Sequence, residues 1–218
     1  MRSAAVFRTA ALIVSGLVAA LRLCAQEPGA PVKAEGIAPR PTPADYLSHA
    51  QAGTVTVAAE FTGHALPLPE GPLTTEEYVG VEAALFGPPD AHLKMSFEDF
   101  SLRVNGKKAA LPSKPYGLVV ASLKDPETEP PSSANKPKTS IGSGGQGESS
   151  TPTPVKIPVE VRRKWEQRVQ KASLPQGDRP LPQAGLLFFQ YHGKTEKIES
   201  MELIYTGPTG TATLPLQP

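Results

Sequence analysis

Apolar and polar residues alternate over several stretches of the second quarter of the chain. In GTVTVAAEFTG, Val55, Val57, Ala59 and Phe61 alternate with Thr56, Ala58 and Glu60, the two-residue period of a half-buried strand. EEYVGVEAALFG repeats the pattern with Val79, Val81, Ala83 and Leu85 on one face, and DFSLRVNGKKAAL does so with Phe100, Leu102 and Val104. Asn105-Gly106 in the latter is a strong hairpin signal, because both residues tolerate positive φ. Tyr116 to Leu123 reads as a further strand. Near the C-terminus, AGLLFFQYHG is apolar on both faces, with Leu186 and Phe188 on one and Leu187, Phe189 and Tyr191 on the other. A strand covered on both sides is a central one. KIESMELIYTG then places Met201, Leu203 and Tyr205 on one face, and GPTG turns the chain into TATLPL.

One segment follows the helical period instead. After Pro158, which suits a first helical position, VEVRRKWEQRVQKASL carries Val161, Trp165, Val169 and Ala172 at i, i+4, i+8 and i+11. Burying Val161, Trp165 and Val169 would contribute about 1.5–3 kcal/mol each, enough to dock a helix of residues 158–174 on a sheet. Two stretches show no periodicity. Residues 26–52 are rich in Pro and Ala and read as a flexible leader with a short helical turn near Asp45. Residues 125–154, DPETEPPSSANKPKTSIGSGGQGESSTPTP, hold almost no large apolar side chain and read as a disordered insert. The expectation is one mostly β domain over 53–218, an antiparallel β-sandwich of about seven strands with one added amphipathic helix.

Composition agrees with that class. The 25 prolines among 218 residues disfavour a helical bundle. Arg2 and Arg8 precede the apolar run Thr9 to Leu21, too short to span a bilayer and suited to a signal-peptide core, with cleavage expected after Ala25. An uncleaved anchor and a lipid on Cys24 are the other readings of this end. Cleavage would remove the only cysteine, leaving an exported chain without a disulfide. It would also remove three of the 22 basic residues and none of the 21 acidic ones, taking the formal charge from +1 to −2. A near-neutral chain gives no support for nucleic-acid binding.

Three motifs, EEYVGVEAALFG, FEDFSLRVNGKK and LPQGDRPLPQAGLLFFQY, make the chain resemble bacterial extracellular immunoglobulin-like (telokin-like) domains of unknown function. The likeness runs from about Gly53 to Leu216, interrupted by the insert and the helix. It implies an immunoglobulin-like sandwich and an exported location, and it carries no catalytic residue.

Candidate chemistry is sparse. Gly142 to Gly147 matches G-x-G-x-x-G, but a dinucleotide site needs a strand before it and a helix after it, and a Ser/Pro/Gly tract supplies neither. His49, His64, His92 and His192 lack the short-spaced pairs of a zinc site, and no G-x-S-x-G elbow occurs. Asp125, Glu127 and Glu129 lack the glycine and closing glutamate of a calcium loop. No cofactor or metal is expected. The basic helix residues Arg162, Arg163, Lys164, Arg168 and Lys171 are the candidate partner-binding set, facing an envelope protein, an anionic envelope polymer or lipid headgroups. Trp165 is expected to anchor the helix. Two functions compete: a non-enzymatic binding or assembly module of the cell envelope, and a hydrolase of an envelope component. The hydrolase requires at least two of His64, His92, His192, Asp90 and Asp99 to lie within hydrogen-bond reach of each other around a pocket.

Overall fold

A computed structural model describes residues 35–124 and 158–218. The expected signal peptide, the insert with its G-x-G-x-x-G match, and the acidic run from Asp125 all lie outside those residues. In chain order the strands are β1 (Ser48–Ala52), β2 (Val55–Gly63), β3 (Ala65–Leu66), β4 (Leu73–Thr75), β5 (Tyr78–Phe86), β6 (His92–Met95), β7 (Phe100–Val104), β8 (Leu111–Lys114), β9 (Leu123–Lys124), β10 (Gly177–Pro180), β11 (Gln183–Gln190), β12 (Met201–Gly207) and β13 (Gly210–Leu216). Two helices join them, α1 (Tyr116–Val119) and α2 (Val159–Ala172).

The alternating residues of the sequence form one antiparallel sheet in the order β1-β2-β5-β11-β8-β7-β12-β13. Its concave face gathers Val57, Val81, Leu102, Leu187, Phe189, Leu203, Tyr205 and Leu214 into one core. The sheet curls until its two edges meet. β13 lies against β1, although no ladder pairs them among the described residues. Gly53, at φ +62° in the β1–β2 turn, abuts the β12–β13 turn so closely that a Cβ there would stand 2.1 Å from the Thr209 carbonyl oxygen. The body is therefore mostly β, antiparallel and barrel-like, filled by its own side chains.

Asn105 and Gly106 form the β7–β8 turn with φ of 51° and 63°, as their sequence signal implies. The Asn105 carboxamide also accepts from Glu199 N at 2.8 Å and donates to the Lys197 carbonyl at 3.1 Å, which ties the turn to the segment entering β12.

The outer face of β5 and β11 is buried too, which explains the doubly apolar β11. Leu186 and Phe188 point out of the barrel into a second cluster with Trp165, Val169 and Ala172 of α2, Leu66, Leu73 and Tyr78. Gly185 lets the chain leaving α2 press against β11, since a Cβ on it would lie 2.4 Å from Leu174 Cα. α2 ends where Ser173 becomes extended, donates its Oγ–H to the Val169 carbonyl at 2.7 Å and bridges Leu186.

Two expectations need correction. Tyr116 to Leu123 is not a strand: it forms α1 and a 3-10 turn over Val120–Ser122, and only Leu123 enters β9. Its fully buried residues, Val119 and Leu123, are four apart, so the burial period is helical. The described part of the expected leader, residues 35–52, is built into the fold. Glu35 N and Gly36 N donate to the Lys171 carbonyl at 3.3 and 2.8 Å, and Ile37 N donates to the Ala184 carbonyl at 2.8 Å. Tyr46 closes the outer face of β2 over Ala58, Ala84 and Ala184, and Ser48–Ala52 is the first barrel strand. Gly53 is thus a turn inside the domain and not its start.

Candidate functional site

α2 is the element on which the expected partner-binding residues lie. Its apolar stripe is spent on the sheet: Trp165, Val169 and Ala172 are buried and Val161 is half-buried. Of the five basic residues, Arg162, Arg163, Lys164 and Lys171 are exposed. Arg168 is separate from them. Its side chain is only 16% exposed, its Nη2 donates to the Gly71 carbonyl, and its Nε stands 3.5 Å from Glu70 Oε2 without hydrogen-bond geometry. Arg168 therefore pins the β3–β4 loop to the helix. Glu70 and Gly71 carry no sequence signal for this contact, because a loop residue 97 positions away has no periodic relation to a helix.

Helix stability does not account for the exposed cations. The first turns of a helix carry the positive end of its macrodipole, where acidic residues are favoured. Only Glu160 serves that need, while Arg162, Arg163 and Lys164 follow in succession. Glu160–Lys164 and Arg162–Glu166 have the i,i+4 spacing that gives a few tenths of a kcal/mol. Against them stand the like-charge pairs Lys164–Arg168 and Arg168–Lys171, at i,i+4 and i,i+3. Over Val159–Ala172 there are five basic and two acidic residues, an excess of positive charge on a chain that is otherwise close to neutral.

Two of the histidines share one cleft and the other two stand elsewhere. His64 and His192 both line an open cleft of about 450 Å³ with Thr74, Thr75, Glu76 and Lys194. Both ring nitrogens of His64 face main-chain acceptors, Nδ1 at 2.8 Å from the Tyr78 carbonyl and Nε2 at 3.0 Å from the Gly193 carbonyl, and the ring stacks on Tyr191. That imidazole serves as a clip between β5 and the loop after β11. His192 is exposed, with Nε2 3.3 Å from Gln190 Nε2. His92 lies elsewhere, with Nδ1 3.8 Å from Asp178 on the β6–β10 ribbon. Asp90 occupies a turn at φ +59°, and His49 is exposed on β1. Asp99 ends the 3-10 turn before β7; burial raises its pKa, a hydrogen bond at Ser96 works against the shift, and Glu98 adds to it. Among the described residues no two of His64, His92, His192, Asp90 and Asp99 share a hydrogen bond, and no three His, Cys, Asp or Glu side chains gather as a metal site.

A second charged cluster escaped the sequence reading. Arg40, in the segment expected to be flexible, lies 2.7 Å from Glu60 Oε2 and 3.6 Å from Glu82 Oε2, donates to the Asp45 carbonyl at 2.7 Å and covers the Tyr46 ring at 4.5 Å. Its role is to fasten the N-terminal segment to the sheet. Among the described residues no helix is long and apolar enough to cross a membrane. No family model, curated protein or solved structure matches the chain.

Proposed function

We propose that this chain is a non-enzymatic binding or assembly module exported to the cell envelope, whose β body is a scaffold and whose helix α2 contacts an anionic partner. The observation that carries the proposal is the division of labour on α2. Trp165, Val169 and Ala172 fix the helix to the sheet and Arg168 is consumed internally, while the side chains of Arg162, Arg163, Lys164 and Lys171 are exposed. Export is supported by Arg2, Arg8 and the Thr9–Leu21 apolar run. An immunoglobulin-like origin is part of the same proposal. Its support is the antiparallel pairing and the strands β5 and β11 that carry the resembling motifs, whereas a two-sheet sandwich would divide the continuous strand order.

The hydrolase reading has less behind it. His64, the imidazole best placed in the polar cleft, has both nitrogens directed at carbonyls. The test of the proposal is salt-dependent retention on immobilised polyglutamate. The wild-type chain should elute at higher salt than R162E/R163E/K164E, and reversing Lys94, Lys107 and Lys108, exposed residues outside α2, should leave retention unchanged. Equal loss in both triple variants would show a response to net charge alone and sink the assignment to α2.

A further inference from the structure

The face around α1 and α2 combines charge with exposed apolar side chains. Only three large hydrophobic side chains stand exposed among the described residues: Leu47, Leu118 and Val159. Two of them flank the basic helix. Leu118 is 52% exposed on α1, and Val159 is 63% exposed as the first residue of α2. α1 and α2 pack on each other and share the cluster built on Val119, Trp165 and Val169, so each exposed aliphatic group stands on one of two packed helices. Arg162, Arg163 and Lys164 follow Val159 directly. A hydrated polyanion has no use for exposed Leu and Val; the boundary between headgroups and acyl chains accepts both them and the cations.

The route of the chain gives an independent reason. Glu35 and Gly36 hydrogen-bond to the carbonyl of Lys171 in the last turn of α2. The 34 residues before Glu35 contain the apolar run Thr9–Leu21 and the cations Arg2, Arg8 and Arg22. After the expected cleavage the remaining residues before Glu35 join the body at the last turn of α2, beside Lys171.

From these observations we infer that the α1–α2 corner docks on an anionic lipid surface, with Arg162, Arg163, Lys164 and Lys171 at the headgroups and Leu118 and Val159 at the acyl boundary. The inference rests on the reading of α2 as the contact surface and names the partner class. The helix lies along the surface and does not enter it, since its own apolar stripe is already buried against the sheet.

Flotation with vesicles of the chain from Gln26 onward, the form expected after cleavage, tests it. Vesicles of phosphatidylcholine alone are compared with vesicles that also contain phosphatidylglycerol, at about 0.1 M salt, where screening acts over about 10 Å. Without the Thr9–Leu21 run, flotation reports the body. Wild type should prefer the anionic vesicles. R162E/R163E/K164E should lose partitioning on the order of a hundredfold, and L118S/V159S should lose several-fold on anionic vesicles. The emission of Trp165, the sole tryptophan and a buried one, verifies that each variant is folded. Equal flotation on both vesicle types, or anionic flotation unchanged by the triple reversal, overturns the inference. Polyglutamate retention that depends on α2 without a vesicle preference overturns the lipid assignment and leaves the broader function standing. Loss of both signals overturns the two together.

Discussion

Glu60 and Glu82 stand directly opposite each other on β2 and β5, and the Arg40 guanidinium lies against both carboxylates. Two like charges in register across an antiparallel pair destabilise it, so Arg40 turns a repulsion into a fastening for the N-terminal segment. Arg40→Ala should lower stability by about 1.5–3 kcal/mol, the range for hydrogen bonds to charged groups. Adding Glu60→Gln should recover part of the loss, because the remaining Glu82 then has no opposing charge. Urea titrations of the single and double variants check both parts; no recovery would mean that Arg40 acts through packing on Tyr46 alone.

Gly36 shows how tightly that segment is seated. It has φ +82°, and a Cβ there would approach the Ala184 carbonyl oxygen to 2.1 Å. Gly36→Ala should therefore displace residues 35–37 and expose the outer edge of β11. Proteolysis near Gly36 should accelerate while the barrel core keeps its circular dichroism. The strain of a non-glycine residue at such an angle is about 1–3 kcal/mol.

Trp165 is the pin of α2, 5% exposed between Leu186, Phe188 and the β3–β4 region. Trp165→Ala should cost about 3–5 kcal/mol. The barrel core does not include Trp165, so amide exchange should rise first over α2, α1 and β3–β4 and last over β5 and β12.

His64 directs its two ring nitrogens at carbonyls 115 residues apart, those of Tyr78 and Gly193. A ring carrying one proton can donate to only one of them at a time. His64→Leu removes both contacts and should cost about 1–2 kcal/mol. Backbone amide shifts at Gly193 and Lys194 should report the freed loop, and unchanged shifts there would refute the clip.

Asp99 sets a pH dependence of definite sign. Burial raises its folded-state pKa above the unfolded value near 3.8, so below that value the protonated carboxyl is tolerated in both states. As pH rises through the unfolded and then the folded pKa, the native state must ionise a partly buried group, and stability falls across that window. Asp99→Asn should remove the penalty. Its melting temperature should exceed that of wild type at pH 7, with the difference narrowing as pH approaches 4.

How much of this was legible in the sequence depended on where large apolar residues fell. β11 announced both of its faces: Leu187 and Phe189 fill the barrel while Leu186 and Phe188 meet α2. α2 announced its stripe through Trp165 and Val169. The first strand, Ser-His-Ala-Gln-Ala, has no large apolar residue, and its place is dictated by pairing with β2, which no local pattern contains. Arg168 looked like its basic neighbours because helical periodicity separates faces but does not reveal a loop that folds over one edge. The N-terminal segment reads as leader because prolines suppress regular structure; its attachment comes from a few backbone hydrogen bonds and one arginine.

The joint between that segment and α2 also sets the path of mechanical load. Tension applied through residues before Glu35 reaches the Lys171 carbonyl first, then Ala184, then the Arg40 contacts, and only afterwards the ladder between β1 and β2. These attachments lie in series along the chain, so they yield one at a time, as in a zip. The body can take up slack by peeling the segment away from the helix while the β ring stays shut.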